Sequence, residues 1–121
     1  YYLWEPRPLD ISKMQTAASI LVGEHDFSCF RGSLCQAKSP IKTIEYIKIE
    51  SSKDELIIGI KANAFLHHMV RNIVGTLLKI GRGEKNVEWM SSVLASQDRR
   101  VAGPTAEPQG LYFIKAFYEE I

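Results

Sequence analysis

Hydrophobic and polar positions divide the chain into a short series of periodic segments. Asp10 stands where an N-cap is needed, and Ile11, Met14, Ala17, Ala18, Leu21 and Val22 then recur at helical spacing up to Gly23. Each proline in Glu5-Pro6-Arg7-Pro8 disfavours helix at the residue before it, so these residues read as an extended lead-in. Residues 24–40 hold no sustained period and read as a long loop, a kind of segment that often carries function. Residues 41–50 alternate weakly, Ser51-Ser52-Lys53-Asp54 reads as a hairpin connection, and residues 55–62 complete an antiparallel pair with Leu56, Ile58 and Ile60 inward.

Residues 64–80 predict a long helix. At about 100° per residue, its apolar positions from Phe65 to Leu78 sweep roughly 220°, too wide for a helix packed on one side only. The remaining sector holds His67, His68, Arg71, Asn72, Gly75, Thr76 and Lys79, with His67, Arg71 and Gly75 in one row. Gly81-Arg82-Gly83 ends the helix. Asn86 caps another, with Val87, Met90, Val93 and Leu94 on its buried side; residues 98–110 are loop and Leu111 to Tyr118 is a closing strand. Helix, hairpin, helix, helix, strand is an α+β order: a largely antiparallel sheet flanked by helices.

With 121 residues, 45% hydrophobic and 24% charged, the chain is one globular domain over residues 1–121. No apolar run approaches the ~20 residues of a membrane span, and the first residues do not show a basic head followed by an apolar stretch. A soluble, cytoplasmic protein is expected. The opening Tyr1-Tyr2-Leu3-Trp4 lacks an initiator Met, and the chain is expected to be part of something longer. Cys29 and Cys35 are read as cytosolic thiols.

The net charge of +1 is unevenly distributed. Residues 61–106 carry seven basic groups (Lys61, Arg71, Lys79, Arg82, Lys85, Arg99, Arg100) against three acidic ones, a local +4. A basic middle with acidic flanks suits a polyanion, but a solvated helix face is the commoner explanation of such a charge pattern.

Few residues offer chemistry. His67 and His68 point about 100° apart on a helix, and no carboxylate completes a metal site with them or with His25. No metal is expected. Asp10 reads as a cap, Asp54 as a turn residue, Asp98 as a local partner of arginines and Asp26 as a loop hydrogen-bonder. Arg71 differs, because a guanidinium beside a wide apolar arc is costly unpaired and the chain places no carboxylate at i±3 or i±4. Its partner comes from elsewhere in the fold, from a ligand, or from a part of the protein not present here.

The run Ala-Phe-Leu-His-His-Met-Val-Arg-Asn-Ile-Val-Gly-Thr-Leu over 64–77 resembles the signature helix of the tRNA pseudouridine synthase A (TruA) family. Gly23-Glu24-His25-Asp26-Phe27-Ser28-Cys29-Phe30-Arg31 is similar to a second family segment. Asp98-Arg99, Thr105-Ala106 and Gly110-Leu111-Tyr112 are similar to its closing loop and strand. The likeness runs from about Leu9 to Tyr118. It implies one half, the C-terminal one, of the pseudo-symmetric pseudouridine synthase fold. The family's catalytic aspartate sits in a Gly-Arg-Thr-Asp-Ala-Gly-Val-His motif that this sequence lacks, so the chain alone is expected to be inactive.

The resemblance casts Arg71 as the ion-pair partner of that absent aspartate, keeping it ionised and oriented. It implies isomerisation of uridine to pseudouridine in the tRNA anticodon stem-loop, without cofactor or metal, by a homodimeric full-length protein. Arg31, His67, His68, Lys79, Arg82, Lys85, Arg99 and Arg100 are the candidates for RNA contact. One departure is His67, where relatives often carry Arg; an RNA contact there becomes weaker or pH-dependent. The alternatives are a non-catalytic RNA-binding module on the same half-fold, or an interaction domain with no RNA role.

Overall fold

A computed structural model describes residues 2–4, 9–32, 39–52, 55–66 and 68–105, with residues 2–4, 52 and 55 described by backbone alone. Strand β1 (Tyr2–Trp4) is followed by helix α1 (Ile11–Ile20), strand β2 (Gly23–Asp26), a 3-10 turn (Ser28–Phe30) and the long strand β3 (Ile41–Ser52). Strand β4 (Glu55–Ala62) and helices α2 (Met69–Gly81) and α3 (Glu88–Ser96) complete the described order. The four strands form one antiparallel sheet in the order β1-β4-β3-β2. The α+β architecture expected from the sequence is therefore present. The lead-in at residues 5–8, His67 and the closing strand at 111–118 lie outside the described residues.

The hairpin explains why β3 alternates weakly in sequence. Ile44, Ile47 and Ile49 are all buried, although 44 and 47 differ in parity and should face opposite sides. A register shift between Ile44 and Tyr46 inserts one extra residue, so both isoleucines reach the core. Strand β4 has no such interruption: Leu56, Ile58, Ile60 and Ala62 are buried in strict alternation, with the inward face as expected.

Helix α1 starts where the Asp10 carboxylate accepts the Lys13 N–H at 3.0 Å. Met14, Ala17, Ala18 and Leu21 are fully buried, whereas Val22 is exposed beyond the helix end. The helix lies against β3 and is packed in turn by α2 and α3. Its Gln15 side chain meets β3 beyond the end of β2: Nε2 donates to Ile47 O at 2.8 Å and Oε1 accepts Ile49 N–H at 2.9 Å. One side-chain amide thus makes the pair of bonds that a neighbouring strand would make.

Two sequence expectations need correction. The stretch read as loop from residue 24 holds β2 and the 3-10 turn, because Gly23 (φ 105°) turns the chain directly from α1 into pairing with Ile41–Ile44. The second helix begins at Met69, not near residue 64. His68 is left-handed (φ 61°, ψ 7°) and breaks the helical path, so Phe65 and Leu66 approach the core from a non-helical segment. At the other end, Gly81 is the last helical residue and Gly83 (φ 81°) is the stop. Gly83 N–H donates to Ile80 O at 3.1 Å and Glu84 N–H to Lys79 O at 3.0 Å, the paired bonds of a Schellman ending. Asn86 caps the start of the next helix, its Oδ1 accepting Trp89 N–H at 2.9 Å.

Candidate active site

Arg71 occupies the first turn of α2, half-buried at the border between core and surface, as its position beside the apolar arc predicts. Its Nη1 lies 3.3 Å from His68 Nε2. The left-handed turn at His68 brings the imidazole back over the helix start, and His68 O still accepts Asn72 N–H at 2.9 Å, closing the first helical bond.

The polar sector of α2 is not a solvated face. Asn72 and Thr76, one turn apart, are both buried, because two other segments cover them and supply partners. Asn72 Nδ2 donates to Phe30 O at 2.8 Å, fastening the 3-10 turn to the helix. Asn72 Oδ1 accepts Arg99 Nη2 at 3.0 Å and also accepts the Thr105 hydroxyl. Arg99 Nη2 further donates to Thr105 Oγ1 at 3.0 Å, and Nη1 to Gly103 O at 2.8 Å. Thr76 Oγ1 donates to Asn72 O at 2.9 Å and accepts Gly103 N–H at 3.0 Å.

The amide orientation of Asn72 follows from chemistry alone. A guanidinium only donates and a backbone carbonyl only accepts, so Oδ1 faces Arg99 and Nδ2 faces Phe30. The loop comes so close at Gly103 that a Cβ there would lie 2.8 Å from Thr76 Cα and 3.0 Å from Gly75 O. Those are backbone atoms that cannot step aside. Glycine at 103 is what lets the loop lie directly against the backbone of residues 75 and 76.

Other groups in this region have settled roles. Asp26 Oδ1 accepts Ser28 N–H at 2.9 Å, the loop hydrogen bond expected of it. Burial pushes the Cys29 thiol up to about 12, which keeps it protonated and unreactive at neutral pH. Cys35 lies outside the described residues.

The RNA-contact candidates fall into separate groups. Arg31 directly follows Phe30 and Arg71 directly precedes Asn72, so the Asn72–Phe30 bond sets their backbones beside one another. Arg31 is half-buried, with its N–H closing the 3-10 turn on Ser28 O at 3.1 Å. Lys79 and Arg82 lie at the far end of α2; at 1.5 Å rise per residue they stand about 12 and 16 Å along the axis from Arg71. Lys85, exposed beyond them, holds its ammonium 5.5 Å from the Trp89 ring centre. Arg100 is exposed and makes a two-pronged contact with Asp98, at 2.9 and 3.1 Å. The hydrogen bond from Arg100 holds the Asp98 carboxyl below its ordinary range and raises Arg100 correspondingly. Arg99 is turned inward. His67 is not among the described residues.

Asn72, Thr76, Gly103 and Thr105 were not singled out by the sequence as site residues. The available signal was Asn72 and Thr76 at i, i+4 spacing on the helix sector opposite the apolar arc, facing a loop rich in hydrogen-bonding groups. Among the described residues no group of three or more His, Cys, Asp or Glu side chains could hold a metal ion, and no helix is long and apolar enough to cross a membrane.

The three segments joined by Asn72 are those whose sequences carry the family resemblance. Comparison with known families gives the same answer over most of the chain: the family model for tRNA pseudouridine synthase matches residues 17–119. The chain belongs to this family. It is similar to the tRNA pseudouridine synthase A of Hydrogenovibrio crunogenus, at 53% identity over 97% of this chain and 45% of that protein. The protein of the same name from Pseudomonas aeruginosa is 50% identical over 95% of this chain and 40% of its own length. That from Herminiimonas arsenicoxydans is 54% identical over 96% and 42%. The chain therefore spans less than half the length of these relatives.

Proposed function

We propose that the chain is the C-terminal half of a tRNA pseudouridine synthase and that Arg71 pairs with a catalytic aspartate carried by the other half. The observation that carries this reading is the position of Arg71: half-buried in the first turn of α2, where the three family segments converge. A carboxylate brought against this half-buried position tends to protonate as it loses water, and an adjacent guanidinium opposes that shift. A two-pronged Arg also fixes the plane of the carboxylate, which a Lys would not. The His68 imidazole, at 3.3 Å, steadies the guanidinium from the side.

The reaction is an isomerisation. The bond from C1′ of the ribose to N1 of uracil breaks, the base turns while held, and C1′ bonds to C5. The C5 proton leaves and N1 regains one, so the composition of the RNA is unchanged. A target uridine in a stem must leave the stack to be reached. The anticodon stem-loop as substrate, a cytoplasmic location and a homodimeric full-length protein belong to the same proposal. The Asn72–Phe30 bond sets Arg31 on the Arg71 side of the fold, and Lys79, Arg82 and Lys85 extend the basic character along and beyond α2, suiting contacts to phosphates.

The test is tritium release from C5-labelled uridine in tRNA by the complete protein and its Arg71→Ala variant. Release by the parent, with a loss of about a thousand-fold or more in a variant that still folds and binds tRNA, is expected for a group at the reacting centre. A parent that binds tRNA but releases no tritium would be a binding module instead.

A further inference from the structure

By sequence Arg99 is a candidate phosphate contact. Its geometry argues for a different task. Two nitrogens of the guanidinium meet three oxygens: Gly103 O, Asn72 Oδ1 and Thr105 Oγ1, at 2.8 to 3.0 Å. All three acceptors are neutral, and all lie either in the loop that Arg99 itself begins or on α2. Asn72 Oδ1, Arg99 Nη2 and Thr105 Oγ1 close a three-membered ring of hydrogen bonds, with Asn72 buried at its base. The neighbouring Arg100, by contrast, is exposed and bound to Asp98.

We propose that Arg99 is a positioning residue: its guanidinium clamps residues 98–105 onto α2 at Asn72, one residue from Arg71, and thereby fixes the wall beside the Arg71 site. This rests on the reading of Arg71 given above. The clamp depends on shape rather than charge. A planar fork reaches Gly103 O with one nitrogen and the Asn72–Thr105 pair with the other, whereas a lysine ammonium presents a single nitrogen. Loop docking carries a second marker, the Gly103 N–H that donates to the buried Thr76 hydroxyl.

The experiment uses the complete protein with Arg99→Lys, Arg99→Gln, Thr105→Val and Thr105→Ser variants. Three quantities are measured: tritium release, the salt dependence of tRNA binding, and amide hydrogen exchange over residues 98–105. Arg99→Lys is expected to lower kcat by about ten-fold or more with KM little changed, as a small misplacement beside a reacting centre does. Exchange in the loop should quicken by a similar factor, since local opening becomes easier. Arg99→Gln should behave alike and leave the salt slope where it was. Thr105→Val should loosen the same loop with Arg99 still present, and Thr105→Ser should restore it.

The proposal is overturned if Arg99→Lys keeps both kcat and slow exchange. It is equally overturned if Arg99→Gln lowers the salt slope by about 0.7–0.9, the signature of one lost phosphate contact. Should the Arg99 variants not fold, the Thr105 pair decides, because a Val variant with wild-type exchange leaves no clamp. If the parent releases no tritium, the functional reading fails separately, and the exchange data still judge the clamp.

Discussion

The imidazole of His68 meets Arg71 because the backbone at His68 is left-handed, and that conformation has a cost. For a residue with a Cβ the left-handed region is disfavoured by roughly 1–2 kcal/mol, least for Asn, Asp and His and most for branched side chains. Two effects are therefore superimposed at one position, and substitutions separate them. His68→Gly should accept φ 61° without strain while deleting the ring contact, so stability to urea holds and tritium release falls several-fold. His68→Val should lose the ring and also strain the turn, costing about 1–2 kcal/mol more than the glycine variant in the same unfolding measurement. Equal stability of the two variants would mean that the turn is not held left-handed in solution. One helical turn further on, Asn72 shows the converse economy. Its amide uses both ends, and neither can be exchanged for the other without placing two donors or two acceptors face to face.

Among the elements, β3 depends most on help from outside its own ladder. Beyond Ile44 it has left β2 behind, and Gln15 of α1 supplies the hydrogen bonds to Ile47 O and Ile49 N–H. Gln15→Ala should leave that donor and acceptor without protein partners, destabilising the protein by about 1–3 kcal/mol in urea unfolding. Gln15→Glu can still accept from Ile49 but cannot donate to Ile47, so it should not recover the loss. A substitution within a few tenths of a kcal/mol of the parent would show that water replaces the amide. What could be read in advance at this scale followed from local rules. Asp10 and Asn86 announce helix starts because a short polar side chain caps free N–H groups, and Leu56, Ile58 and Ile60 announce an inner face by alternation alone. Long-range causes were hidden. The bulge before Tyr46 disguised the period of β3. The early part of α2 looked helical because Phe65 and Leu66 are apolar in the right rhythm, although they reach the core by another route. The burial of Asn72 and Thr76 could not be read from the sequence, because nothing local says that residues 98–105 fold back over them.

At the scale of the molecule, the basic residues occupy distinct stations rather than one patch. Arg31 and Arg71 sit by the start of α2, Arg99 is turned inward, Arg100 is engaged by Asp98, and Lys79, Arg82 and Lys85 gather near the helix end. The family resemblance could name these residues but could not divide them, since orientation is a property of packing. On the proposed function the division is one of labour: the first station serves the reacting carboxylate and base, and the last serves the RNA backbone. Replacing Lys79 and Lys85 together by Ala should then weaken tRNA binding by the complete protein and flatten its log–log salt dependence by about 1.5, at roughly 0.7–0.9 per phosphate contact. The penalty should appear in KM and shrink as salt is raised, because the contacts removed are those that salt already screens. Arg71→Ala should show the opposite pattern, with the loss in kcat and the salt slope nearly intact. If the double lysine variant lost kcat instead and kept its slope, the far end of α2 would belong to the reacting centre or to the fold, and the RNA would have to cross the protein along another path.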